Sequence, residues 1–171
     1  MLTVTSVVGN IFRDRTLQSR YKNMKTTVNY ERLQISRLET ERARLRRKTD
    51  RGTDIGLILK PGTRLQHGDV LLSSPEKFIV VEQLPEKIIS IRIKNKKSRN
   101  LVQLCAMIGH IIGNRHRPIA VDDKGTISFP IMADSEVDLF RKLLDSIIDH
   151  IDLKLEERIF QPEEGMHVHE H

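Results

Sequence analysis

Apolar residues recur along this chain in two different rhythms. Up to about residue 75 they come in short runs, at 2–8, 28–35, 42–48, 55–59 and 70–72. Alternation within such runs is the mark of a half-buried strand, because successive side chains point to opposite faces. The gaps carry turn residues: Asp50-Arg51-Gly52, Lys60-Pro61-Gly62 and His67-Gly68-Asp69. Short strands at this spacing predict a small antiparallel β domain over residues 1–75. In residues 42–48, Ala43 and Leu45 sit among arginines, an apolar-in, basic-out pattern. The helix formers of LETERARLRR make a helix over 36–47 the competing assignment. Residues 13–27 (RDRTLQSRYKNMKTT) are basic, polar and without clear period, and are expected to form a loop.

Ser73-Ser74-Pro75 reads as a linker, and after it the pattern changes. Residues 78–81 suggest a short lead-in strand, and 87–93 (KIISIRI) a longer one. Leu101, Leu104, Cys105, Ile108 and Ile112 then repeat at spacings of three and four, an amphipathic helix with Cys105 in its packed face. Asn100 or Ser98 can cap its start, and Gly113 can close it in the left-handed conformation. Strands at 119–121 and 126–131 flank the turn Asp122-Asp123-Lys124-Gly125. A Ser-x-x-Asp cap, Ser135 to Asp138, opens a second helix. Its Val137, Phe140, Leu144, Ile147 or Ile148, and Ile151 face one way, and residues 153–160 form a last strand. The order β-α-β-β-α-β predicts a ferredoxin-like domain over 76–160, and an α+β chain as a whole. Residues 161–171 hold too few apolar groups to pack and are expected to be mobile.

Charge adds an asymmetry. Residues 1–60 hold 14 Lys/Arg against 6 Asp/Glu, residues 61–119 hold 10 against 4, and residues 120–171 hold 5 against 13. A basic front and an acidic back suit an acidic partner at one end. No apolar run reaches about 18 residues, so no membrane helix is expected. The N-terminus lacks the basic start and cleavage site of a signal peptide. A single cysteine makes no internal disulfide, in keeping with a reducing cytoplasm.

The candidate chemistry lies in histidines. His116 follows the end of the apolar helix, where carbonyl groups carry partial negative charge and favour a cation. In an extended segment Arg115 and Arg117 would point away from it. One imidazole is too few for a metal site, but a two-fold homodimer would supply a pair. The chain finishes with His167, His169 and His171, spaced as His-x-His-x-His. Imidazole suits nickel, zinc and copper alike. His67, His110 and His150 are assigned no role. There is no Gly-x-Ser-x-Gly, no Walker loop and no paired carboxylate–histidine arrangement, so an enzyme is not expected. Stepwise ligation by one ordered histidine and a loose tail suits a carrier better than a rigid catalytic zinc site.

Three stretches resemble the UreE family of urease accessory proteins, which act as nickel metallochaperones. They are Arg51-Gly52-Thr53-Asp54-Ile55-Gly56-Leu57-Ile58-Leu59, continued by Pro61-Gly62-Thr63-Arg64-Leu65 and Gly68-Asp69-Val70-Leu71; Ile112-Gly113-Asn114-Arg115-His116; and Phe160-Gln161-Pro162-Glu163-Glu164-Gly165 with the histidines after it. The resemblance implies a partner-binding N-terminal β domain and a C-terminal ferredoxin-like domain that dimerises; whether dimers go on to a tetramer around a shared metal is left open by the sequence. It implies Ni(II) as cargo, held by His116 and its symmetry mate with help from His167, His169 and His171. Zn(II) or Cu(II) would be accepted in vitro. Delivery to urease, with other accessory proteins including a GTPase, is the implied role. The stretch Phe129 to Glu136 lacks the extra histidines of some members, which argues against an accessory internal site. Two rivals stand beside this reading: an RNA- or acidic-protein-binding module using the basic half, and a purely structural homodimer. Aromatic residues at 4% are few for base stacking on a sheet.

Overall fold

The computed structural model describes residues 1–97 and 99–162, and the chain divides into two units, Met1–Leu84 and Pro85–His171. In chain order the first unit holds β1 (Leu2–Val4), β2 (Gly9–Asn10), α1 (Arg15–Met24), β3 (Tyr30–Ile35), α2 (Arg37–Thr40), β4 (Arg44–Lys48), β5 (Asp54–Ile58), β6 (Asp69–Ser74) and β7 (Lys77–Gln83). They form two sheets, ordered β1-β5-β4 and β2-β6-β7-β3. The sheets are mixed rather than antiparallel, because β1 pairs parallel with β5 and β3 parallel with β7. Those pairs join strands far apart in sequence, which local periodicity does not register.

Strand β7 explains a second departure. Its Phe78 and Val80 enter one apolar cluster with Ile11, Leu17 and Val70. Its Ile79 and Val81 enter the other, with Leu33, Ile35, Ile55 and Leu65. A strand buried on both faces reads as a continuous apolar run. It is a central strand of the first unit, and Ser73-Ser74-Pro75 is no linker. Ser73 and Ser74 belong to β6, and the Ser74 hydroxyl accepts from Lys77 N–H at 3.1 Å across the hairpin. The boundary expected at residue 75 therefore falls at Leu84/Pro85.

Residues 13–27 are not a loop, since most of them form α1. Asp14 Oδ1 caps it, accepting from the N–H groups of Thr16 and Leu17 at 2.8 and 3.0 Å. Leu17, Tyr21 and Met24 supply its packed stripe at spacings of four and three. That stripe is narrow, and the surrounding polar residues mask it. In 36–47 both readings hold in part. Ser36 and Glu39 close a capping box around the single turn α2, and the strand β4 follows.

The turn at Gly68 has a φ of +87°. A Cβ there would lie 2.5 Å from Phe12 Cε2 and 3.0 Å from Ile11 Cγ1. Gly68→Ala is expected to cost about 2 kcal/mol, from left-handed strain and the close approach together. Urea unfolding would measure it.

The second unit holds β8 (Glu86–Ile93), α3 (Leu101–Gly113), β9 (Ala120–Val121), β10 (Ile127–Pro130), α4 (Ser135–Leu143), a 3-10 turn (Asp145–His150) and β11 (Ile151–Arg158). Its sheet runs β11-β8-β10-β9 with every pair antiparallel. Ile89, Ile91 and Ile93 of β8 share a core with Leu104, Ile108 and Ile112 of α3, and with Val137 and Phe140 of α4. The rings of Phe129 and Phe140 meet at 4.5 Å. On the opposite face of β8, the Ser90 hydroxyl lies 3.1 Å from that of Ser128 and donates to Glu156 Oε2 at 2.9 Å. The chain as a whole is α+β.

Three expectations for this unit need correction. Cys105 is exposed rather than packed. Against one sheet the helix buries only the stripe through Leu104, Ile108 and Ile112, and Cys105 lies just beyond its edge. Asn100 occupies the N-cap of α3 without a side-chain capping bond, and Ser98 lies outside the described residues. Ser135 is not a cap either: Asp134 holds that position, and its carboxylate instead takes the Lys87 ammonium at 2.7 Å. No described helix is long and apolar enough to cross a membrane.

Candidate metal-binding site

The site begins where α3 ends. Gly113 is the last helical residue, and the chain continues through a turn rather than an extended segment. Arg117 N–H reaches back to Ile112 O at 3.4 Å, and His116 N–H to Gly113 O at 2.9 Å. These nested bonds are those of a Schellman ending, which requires a left-handed residue at its penultimate position. That residue is His116, with φ +51°, the only non-glycine among the described residues with positive φ. Gly113 was expected to take this conformation. A histidine takes it instead, three residues on, where glycine would be unstrained.

The imidazole is therefore placed by a backbone conformation that an L residue rarely adopts. His116 is exposed. Earlier in α3, His110 Nε2 lies 3.0 Å from Asn114 Nδ2, and His110 is likewise exposed. Arg115 is exposed. Arg117 is held: its Nη2 donates to both carboxylate oxygens of Glu136, at 2.9 and 2.8 Å. The reason expected for the separation of charge, an alternating extended strand, does not apply. Of the two cations flanking the imidazole, Arg117 is instead neutralised by a carboxylate from the first turn of α4, while Arg115 faces solvent. Nothing in the spacing of Arg117 and Glu136, 19 residues apart, announces that pair.

The remaining histidines are distributed elsewhere. His67 Nδ1 accepts from Gln83 N–H at 3.3 Å, and its ring stacks on Phe12 at 5.5 Å, so its role is in the turn. His150 ends the 3-10 turn. His167, His169 and His171 lie outside the described residues. Among the described residues no group of three or more His, Cys, Asp or Glu could hold a metal ion. Among the described residues, then, His116 is an accessible imidazole outside any cluster of potential ligands.

Fold and site define a two-unit α+β protein whose candidate ligand stands on the surface, at the end of a helix, rather than inside a cleft. Its sequence relatives give that class a family. Residues 4–84 match the family described as UreE urease accessory protein, N-terminal domain. A urease accessory protein UreE of Natronomonas pharaonis is 29% identical over 152 residues, covering 88% of this chain and 67% of the relative. One from Haemophilus influenzae strain PittGG is 32% identical over 128 residues, covering 74% and 63%. One from Yersinia intermedia is 30% identical over 121 residues, covering 68% and 52%. Residues 4–84 thus carry the N-terminal domain of the UreE urease accessory proteins, and the chain is similar to those proteins beyond that domain. Its matches span from about half to two thirds of the length of these relatives.

Proposed function

We propose that this protein is a nickel metallochaperone and not an enzyme. It binds Ni(II) as cargo between two copies of the chain, through His116 of each, and delivers it for assembly of the urease active site. His167, His169 and His171 complete or feed that site. The second unit serves as a ferredoxin-like metal-binding and dimerisation domain, and the first, with its excess of basic residues, as the partner-binding domain. Its setting is the cytoplasm, with urease and its other accessory proteins, including a GTPase, as partners.

The observation that carries this reading is His116 itself: an exposed imidazole held in a left-handed turn where glycine would fit better. Strain of that kind persists where a side chain is needed at the position. A lone imidazole binds a divalent ion weakly, so a second copy is the natural source of further ligands. The surface beside it suits close approach of such a copy. Val102, Cys105 and Ala106 of α3 are exposed, and a Cβ on Gly109 or Gly113 would meet nothing within 4 Å. Zinc and copper would compete for the same nitrogens.

Nickel titration followed by mass measurement tests the proposal. The full chain is expected to bind nickel tightly, and a chain ending at Gly165 to bind it with lower affinity or stoichiometry. Because imidazoles must be neutral to ligate, affinity should weaken as pH falls from 8 to 5. Affinity that is constant over that range would remove histidine from the ligand set.

A further inference from the structure

We infer that Arg117 and Glu136 are positioning residues for the imidazole of His116, fixing its turn and keeping a bare cation off the metal. This rests on His116 being a nickel ligand.

The turn around His116 is weak. His116 holds a conformation that an L residue adopts with strain, and one of the two bonds that close the turn, Arg117 N–H to Ile112 O, is long at 3.4 Å. Backbone alone would let His116 relax into other conformations. Packing of α3 anchors the turn on one side, through Ile108 and Ile112, both fully buried. The other side is anchored by the side chain of Arg117, whose Nη2 bridges both oxygens of Glu136. Glu136 is itself fixed. It lies in the first turn of α4, where the helix dipole favours a carboxylate, and its Oε1 also accepts from Met132 N–H at 3.3 Å. The two side chains are 22% and 18% exposed, so the pair is shielded from water and from screening. His116 is the residue between these two anchors.

Charge gives the second half. Arg117 is one of two arginines flanking the candidate ligand, and an unpaired guanidinium there would add to the exposed Arg115 in repelling a divalent ion. Glu136 cancels it at hydrogen-bond distance. Partners of this kind, one step removed from a ligand, set its orientation and basicity, and their loss weakens metal affinity by about 10–100-fold.

The test uses the full chain with nickel alone. Titration calorimetry is run on wild type, His116→Gly, Glu136→Gln, Glu136→Asp and Asp134→Asn. The last breaks the neighbouring pair with Lys87 at the start of the same helix, and serves as the control. Amide hydrogen exchange is followed at His116, Arg117 and Ile108. Glu136→Gln is expected to bind nickel about tenfold more weakly. Its His116 and Arg117 amides should exchange faster while Ile108 keeps its protection. Glu136→Asp should recover part of the affinity, and Asp134→Asn should match wild type. If Glu136→Gln binds like wild type while His116→Gly has lost nickel, the imidazole needs no positioning and the inference is overturned, with the ligand reading intact. If Ile108 loses protection in step with His116, the pair is only a brace of the fold, which also overturns it. If His116→Gly binds like wild type, the ligand reading fails and the inference with it.

Discussion

His116→Gly should remove tight nickel binding while leaving the fold as stable as wild type, or more so. The two effects usually oppose each other, because deleting a ligand also damages the structure around it. Here they separate, because His116 occupies the left-handed position of a Schellman ending. Glycine enters that conformation without a Cβ penalty, and relief of strain of about 1 kcal/mol offsets its greater entropy when unfolded. The imidazole is exposed, so little packing is lost with it. Thermal unfolding without metal is expected to show an unchanged or higher midpoint, and nickel titration a loss of at least about 100-fold in affinity, since a paired ligand is removed from both chains. His116→Ala would lose nickel in the same way but gain no stability, because alanine keeps the Cβ. A clear drop in midpoint for the glycine variant would mean that the imidazole itself holds the turn together.

The largest stability effect expected lies in the first unit, at Glu31. Its carboxylate is buried and takes the Lys77 ammonium at 2.7 Å on one oxygen and the Thr49 hydroxyl at 2.6 Å on the other. Lys77 also donates to the Thr53 hydroxyl at 2.8 Å, so the network ties β3 and β7 to the turn before β5. Burial by itself would raise the Glu31 pKa. The bonds from Lys77, Thr49 and Thr53, with the Lys77 charge, outweigh burial and hold it below the ordinary carboxylate value. Lys77→Met strands the carboxylate and should cost about 3 kcal/mol at neutral pH. The sign with pH is definite. A depressed folded pKa contributes stability above the unfolded value, 4.5, that is lost as pH falls through the folded one. In Lys77→Met burial acts unopposed by the ammonium, the folded pKa rises, and protonation relieves the variant. The gap between the two proteins should therefore narrow in acid. Denaturant unfolding of both at neutral pH and near pH 3 reads this directly; a gap that stays constant would place the cost in packing instead of charge.

Much of this was legible in the residues. The spacing of Leu104, Ile108 and Ile112 gives α3, and the Asp122–Gly125 turn gives its hairpin. The misses have physical causes. Helix α1 packs through only Leu17, Tyr21 and Met24, a stripe too thin to stand out among basic residues. The apolar run at 78–81 does mark β7, but the hairpin turn before it passes for a linker and puts the strand in the wrong unit. Which residue ends α3 in the left-handed form depends on where the helix leaves the sheet. Sequence favours the glycine at 113, whereas the packed stripe runs to Ile112 and the turn closes around His116. The Arg117–Glu136 pair is invisible for a simpler reason: it exists only once two helix ends meet.

Everything proposed for the site depends on imidazoles from two chains sharing one ion. Native mass measurement of the full chain during nickel titration reads that most directly. A tightly held species of two chains and one nickel is expected, absent when both chains carry His116→Gly. Nickel held with full affinity by a single chain, and unaffected by that substitution, would contradict it.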